Sequence, residues 1–162
     1  MSAPRPDPFL PLDPQTKASV TALLAAARHA ALAVTEAETA LPYCSRIALG
    51  RDDQGLPLAY LSGLALHTRA LLAAPEACLL IGEVEGKGDP LTQPRLSLQA
   101  RVEFLPSTMT ESLLPMWLAQ HPKARVYAGL PDFRFARFHP IKGSYNGGFA
   151  RAFRLTAKDL RP

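Results

Sequence analysis

Two cysteines, one tryptophan and no apolar run approaching the roughly 20 residues of a membrane span are what this 162-residue chain is shortest of. Its longest Ala/Leu-rich stretch, 18–33, is broken by Arg28 and His29, so no membrane association is expected. Cys44 and Cys78 lie in apolar, strand-like surroundings with no C-x-x-C spacing. That favours buried, reduced thiols over a disulfide, and a cytoplasmic setting. The opening MSAPRPDPFLPLDP has prolines where a secretion signal needs an apolar core. His29, His67, His121 and His139 are too scattered for metal-ligand spacing, so no metal is expected. No G-x-S-x-G elbow is present, and the loop holding Gly86 and Gly88 lacks both the P-loop ending and the G-x-G-x-x-G spacing. Lys/Arg blocks and stacking aromatic arrays are absent as well, which argues against a nucleic-acid surface. Nothing nominates a catalytic acid, base or nucleophile. The catalytic residues are thus unknown, and if the chain is an enzyme a cofactor carries the chemistry.

What is present is an ordinary globular composition, 48% hydrophobic and 20% charged, with a net charge of +4 that favours anionic ligands. A Pro-rich arm, 1–13, precedes a single domain, 14–162, large enough to bury a core. Asp13 and Pro14 predict a helix running to about Arg28. Strands are expected over 29–35, 43–50, 56–62, 77–83 and 95–104, the second and third forming a hairpin around Asp52-Asp53-Gln54-Gly55. The clean alternation from Arg95 to Phe104 is the strongest strand signal. Residues 66–74 predict a short helix stopped by Pro75, and Thr108 to Glu111 a capping box opening another. Late strands are expected at 132–138 and 145–155. Many short strands with a few peripheral helices make a mainly β, α+β barrel and not a parallel βαβ sheet.

The most informative stretch is 42–75. It places Ser45 and Arg46 on a strand, ends the next strand at Ser62, and enters a helix through His67-Thr68-Arg69. Taken singly, Ser62 and Thr68 read equally well as helix caps, with His67 and Arg69 facing water. Adding Arg46 tips the reading to a phosphate site, because arginine binds phosphate bidentately and a helix start offers free N–H groups. Arg95, at the head of the alternating strand, is a further cation that fits a solvated edge as readily.

The segments Pro42-Tyr-Cys-Ser-Arg-Ile47, Leu61-Ser-Gly-Leu-Ala-Leu-His-Thr68, Ala74-Pro75, Arg95-Leu-Ser-Leu98 and Gly147-Gly-Phe-Ala-Arg-Ala152 resemble the FMN-binding split-barrel family related to pyridoxamine 5′-phosphate oxidase. The branch they resemble is that of the haem-utilisation proteins. The resemblance implies a six-stranded split β-barrel that forms a homodimer, with FMN held at the subunit interface. It implies that Arg46, Ser62, His67, Thr68 and Arg69, with Arg95 as a weaker candidate, hold the FMN phosphate. The function implied is that of a flavoprotein oxidoreductase acting on a small-molecule substrate that the resemblance does not name. The alternative is a non-catalytic FMN- or haem-binding protein, and the deazaflavin F420 is a rival to FMN. Ala70 and Ala100 stand where this branch has Asn and Gly. The carboxy-terminal Arg-Leu-His motif of true pyridoxamine phosphate oxidases is absent, and no histidine follows His139, so neither vitamin B6 oxidation nor haem oxygenation is expected.

Overall fold

Asp13 opens the first helix as its sequence predicts: its carboxylate accepts from the Thr16 amide at 2.7 Å, and Pro14 occupies the first helical position. The computed structural model describes residues 7–84, 86 and 88–161. Helix α1 spans Pro14–Ala26. It ends where the Arg28 guanidinium donates to the carbonyls of Ala25, Ala26 and Ala27, a cation at the negative pole of the helix. The first six residues of the Pro-rich arm, together with Glu85 and Lys87 of the glycine loop, lie outside the described residues. The rest of the arm rests on the chain's own sheet. Strand β1 (Phe9–Leu10) pairs in parallel with Ala152 and Phe153, and the Arg154 guanidinium sits 4.1 Å above the Phe9 ring.

The remaining strands are β2 (His29–Thr35), β3 (Pro42–Ala48), β4 (Gly50–Arg51), β5 (Pro57–Ser62), β6 (Glu76–Ile81), β7 (Arg95–Phe104), β8 (Phe133–Asn146) and β9 (Ala152–Thr156). They form one sheet in the order β1-β9-β8-β7-β6-β2-β3, with β5 on the first half of β8 and β4 on β5. Among the described residues the sheet thus has nine strands, against six expected, and three of the nine are short pieces. It is mixed α+β, and it does not close, because β3 and β5 do not pair.

That gap corrects the expected hairpin. Strand β3 pairs along its whole length with β2, and β5 pairs with β8. Only Gly50 and Arg51 meet Leu58 and Pro57 across the Asp52–Gly55 turn. The cause is Leu49: it is buried and its amide donates to the Arg28 carbonyl, so the chain bends there and changes neighbours. Three other expectations also fail. Strand β8 runs unbroken where two late strands were expected: Pro140 pairs with Ala100, and Ile141 is the extra residue of a bulge opposite Gln99 and Ala100. The capping box does not form, since a 3₁₀ turn over Ser107–Met109 shifts the start of α3 (Thr110–Gln120) and leaves it without a side-chain cap. Cys44 is exposed and Cys78 half-buried, both free, because they sit on the outward face of β3 and β6.

Two apolar cores result. Inward residues of the curved sheet, among them Leu32, Leu79, Leu98 and Phe138, are fully buried, each worth about 1.5–3 kcal/mol over exposure. Strand β5 is buried on both faces: Ala59 and Leu61 face that core, while Leu58 and Tyr60 face a second one under α3, built on Trp117 and Phe135. Among the described residues no helix is long and apolar enough to cross a membrane.

Candidate anion site at the start of helix α2

Helix α2 (Leu66–Ala73) leaves β5 through a tight elbow whose hub is Ser62. The Ser62 hydroxyl donates to an Asp132 carboxylate oxygen at 2.6 Å and accepts from the Leu64 amide at 3.2 Å. Its carbonyl accepts from the Thr68 hydroxyl at 2.6 Å and from the Ala65 amide at 3.2 Å. Gly63 donates its amide to the Asp132 carbonyl at 2.8 Å, and a Cβ there would lie 2.9 Å from that oxygen. Only glycine lets the two backbones come this close.

The first turn of α2 then has donors to spare. Its N-cap is Ala65, which has no side chain to accept from the helix, and among the described residues the amides of Leu66 and His67 have no acceptor. His67 Nδ1 is 3.0 Å from the Ser45 hydroxyl, which joins α2 to β3. Burial pushes the His67 imidazole below the usual histidine range and so favours its neutral form. Thr68 is 0% exposed, so its hydroxyl works inside the elbow. Arg69 is exposed one residue on, beside a pocket of about 140 Å³ that it shares with Glu36 and Glu38.

Strand β3 separates the remaining groups. Ser45 lies opposite Leu32 and faces inward toward α2, while Arg46 lies opposite Ala31 and is exposed on the outward face. Among the described residues neither Arg46 nor Arg69 makes an ion pair or hydrogen bond. Arg95 stands apart, because β2 and β6 lie between β3 and its strand β7. Its guanidinium donates to the carbonyls of Leu91 and Gln93 at 2.8 and 3.2 Å, which fastens the preceding loop. The sequence therefore places Ser62, His67, Thr68 and Arg69 together with Arg46 close by, and the fold leaves Arg95 elsewhere within one subunit.

Sequence reasoning missed Asp132. It is 70 positions from Ser62, and it reads only as the first residue of the strand expected at 132–138. It also missed the buried ion pair of Asp52 with Arg137, whose Nε donates to Asp52 at 2.6 Å. Among the described residues no three His, Cys, Asp or Glu side chains gather as a metal site would require.

This donor set fits a phosphate-bearing cofactor at its phosphate end. The Arg69 guanidinium, two helix amides and His67 stand at the start of α2 and can meet oxygens, whereas Arg46 points from the other face of β3. The pocket beside Arg69, at about 140 Å³, is too small to enclose a flavin ring. The outward sheet face carries a groove of about 510 Å³ lined by Ser97, Gln99, Ile141 and Lys142 among others.

No family model matches the chain. It is 33% identical over 114 residues to the non-canonical heme oxygenase HOZ of Arabidopsis thaliana chloroplasts, a match over 69% of this chain and 34% of that protein. The chain thus spans about a third of the length of that curated relative. A solved structure 45% identical to it superposes with a TM-score of 0.86 over 93% of this chain and 98% of its own. A heme binding protein from Mycobacterium smegmatis superposes with a TM-score of 0.81 at 22% identity, over 93% of this chain and 61% of its own. A protein of the pyridoxinephosphate oxidase family from Clostridium acetobutylicum, related to general stress protein 26, does so with a TM-score of 0.70 at 13% identity, over 92% and 99%. Both of the latter share the fold. By its fold, its sequence match and the motifs from Pro42 to Ala152, the chain belongs to the split-barrel family related to pyridoxamine 5′-phosphate oxidase, on its haem-utilisation-like branch.

Proposed function

We propose that this chain is an FMN-binding oxidoreductase that works as a homodimer in the cytoplasm, with FMN at the subunit interface. The observation that carries the reading is the start of α2, where the amides of Leu66 and His67 lack acceptors among the described residues and stand beside the exposed Arg69 and a His67 ring held by Ser45. A cation beside free helix amides and a histidine is a set of groups that a phosphate completes. When bound, FMN supplies hydride or single-electron transfer at its ring. The protein's own part is to hold the phosphate, to dock the ring on the outward face and to keep water from it. That face supports the dimer: it carries half-exposed Leu80 and Ile141 around small Ala31 and Ala33. A second copy would cover it, and is the route by which Arg95 could reach a shared site. The free thiols of Cys44 and Cys78 agree with a reducing compartment.

Binding of haem or flavin without turnover is the second reading. What supports it is the naming of two relatives, one a heme oxygenase and one a heme binding protein. An absorbance spectrum of the purified protein, with mass analysis of what heat releases, tells flavin from haem, and reduction of the bound flavin by NADPH or another donor tells turnover from binding alone. A stoichiometric flavin spectrum with the FMN mass is expected. A Soret band would replace the first reading by the second, and a colourless protein that also ignores added FMN would remove both. If the Arg46→Ala, His67→Ala double variant kept full FMN affinity, the site would lie elsewhere.

A further inference from the structure

The Ser62 hydroxyl has one proton, and it is committed to Asp132 at 2.6 Å, the length of a charge-assisted bond. Toward a ligand Ser62 can therefore offer only lone pairs. Asp132 itself makes no ion pair among the described residues, although the chain carries an excess of cations. Its carboxylate is held at the elbow by the Ser62 hydroxyl, and its backbone by the Gly63 amide on its carbonyl. A fixed and unneutralised negative charge thus stands next to the donors of the α2 start. Its field already reaches the neighbouring Tyr60 hydroxyl, which it helps to hold above the usual tyrosine range after burial. We propose that Asp132 is a specificity-determining residue of this site: it removes Ser62 from the set of phosphate donors and sets a charge that opposes a fully ionised phosphate monoester. The form of the flavin phosphate preferred is the monoanion over the dianion.

This rests on the reading that the site takes the phosphate of a flavin. The test is a titration of the wild type, Asp132→Asn and Ser62→Ala with FMN and with riboflavin, followed by flavin fluorescence at pH 8. Asparagine keeps an oxygen for the Ser62 proton and removes only the charge, so the elbow is retained. Expected for Asp132→Asn is FMN binding about three- to tenfold tighter with riboflavin unchanged, a gain that shrinks in concentrated salt. Ser62→Ala, which also takes the acceptor from the Leu64 amide and the partner from Asp132, is expected to lower FMN and riboflavin affinity alike, since no donor to the phosphate is lost. Weaker FMN binding by Asp132→Asn, or an unaltered ratio of FMN to riboflavin affinity, overturns the proposal and leaves the flavin reading standing. A wild type that binds neither flavin overturns both.

Discussion

His67 Nδ1 stands 3.0 Å from the Ser45 hydroxyl, and this contact fastens α2 to the edge strand β3. It leaves Nε2 as the ring nitrogen free to meet a ligand. In the neutral tautomer with the proton on Nε2, Ser45 donates to Nδ1; in the charged form Nδ1 donates to Ser45 instead. Ser45 accommodates both states, so His67 can change charge without loss of its anchor.

The pH dependence follows. Burial lowers the pKa of His67, and it is also the largest cause lowering that of His121, which packs on Trp117 with ring centroids 4.1 Å apart. The folded state therefore resists protons that the unfolded chain takes up, so each group contributes full stability above its unfolded value near 6.5 and loses it as pH falls. The ligand-free protein should have a lower urea midpoint at pH 5.5 than at pH 7.5, and the difference should shrink in the His67→Gln, His121→Gln variant. FMN affinity should move oppositely and rise as pH falls through the His67 pKa, because a phosphate favours imidazolium. A flat FMN affinity from pH 5.5 to 8 would take His67 out of the site.

Much of this arrangement was legible in the sequence where local chemistry decides it. Asp13-Pro14 fixed the start of α1, and the alternation of Arg95–Phe104 gave β7 its bounds. Pro75 closed α2 as expected. What stayed hidden is decided by distant partners. The bend at Leu49 depends on a hydrogen bond to Arg28, so two strands close in sequence ended in different parts of the sheet. Residues 132–138 and 145–155 read as two strands, but a bulge at Ile141 lets one strand run from Phe133 to Asn146. At the site, residue types and their proximity could be read from 42–75, whereas the side of β3 that each faces could not. Asp132 carried no local signal at all.

The buried Arg137–Asp52 pair gives a stability prediction. The Asp52 side chain is 0% exposed and also accepts from the amides of Gln54 and Leu56, which shapes the β4–β5 turn. Arg137→Met leaves that carboxylate without its cation in the interior and should cost about 3–5 kcal/mol by urea unfolding. A loss below about 1 kcal/mol would mean that water reaches Asp52 and that the turn is more open than described.

The thiols report on the outward face. Cys44 and Cys78 flank Ala33 from adjacent strands, so their Cα atoms stand about 9–10 Å apart, too far for a disulfide within one chain. Burial pushes the Cys78 thiol up, so it should react more slowly than exposed Cys44 with a disulfide reagent. If a second copy covers this face, Cys44 labelling should slow as protein concentration rises. A rate for Cys44 that does not depend on concentration, in a protein that is dimeric by light scattering, would move the interface to another face.

Gly63 links the elbow to the ligand. A Cβ at this position would lie 2.9 Å from the Asp132 carbonyl oxygen, which is backbone and cannot rotate aside. Gly63→Ala must therefore push the 132 segment away from β5, stretch the 2.8 Å Gly63 bond and pull Asp132 from Ser62. The expected loss of stability is about 1–3 kcal/mol. The elbow also sets where the amides of Leu66 and His67 point, so FMN binding should weaken more than riboflavin binding. Equal loss for both flavins would show that the elbow supports the barrel alone, and that the free amides of α2 do not hold the phosphate.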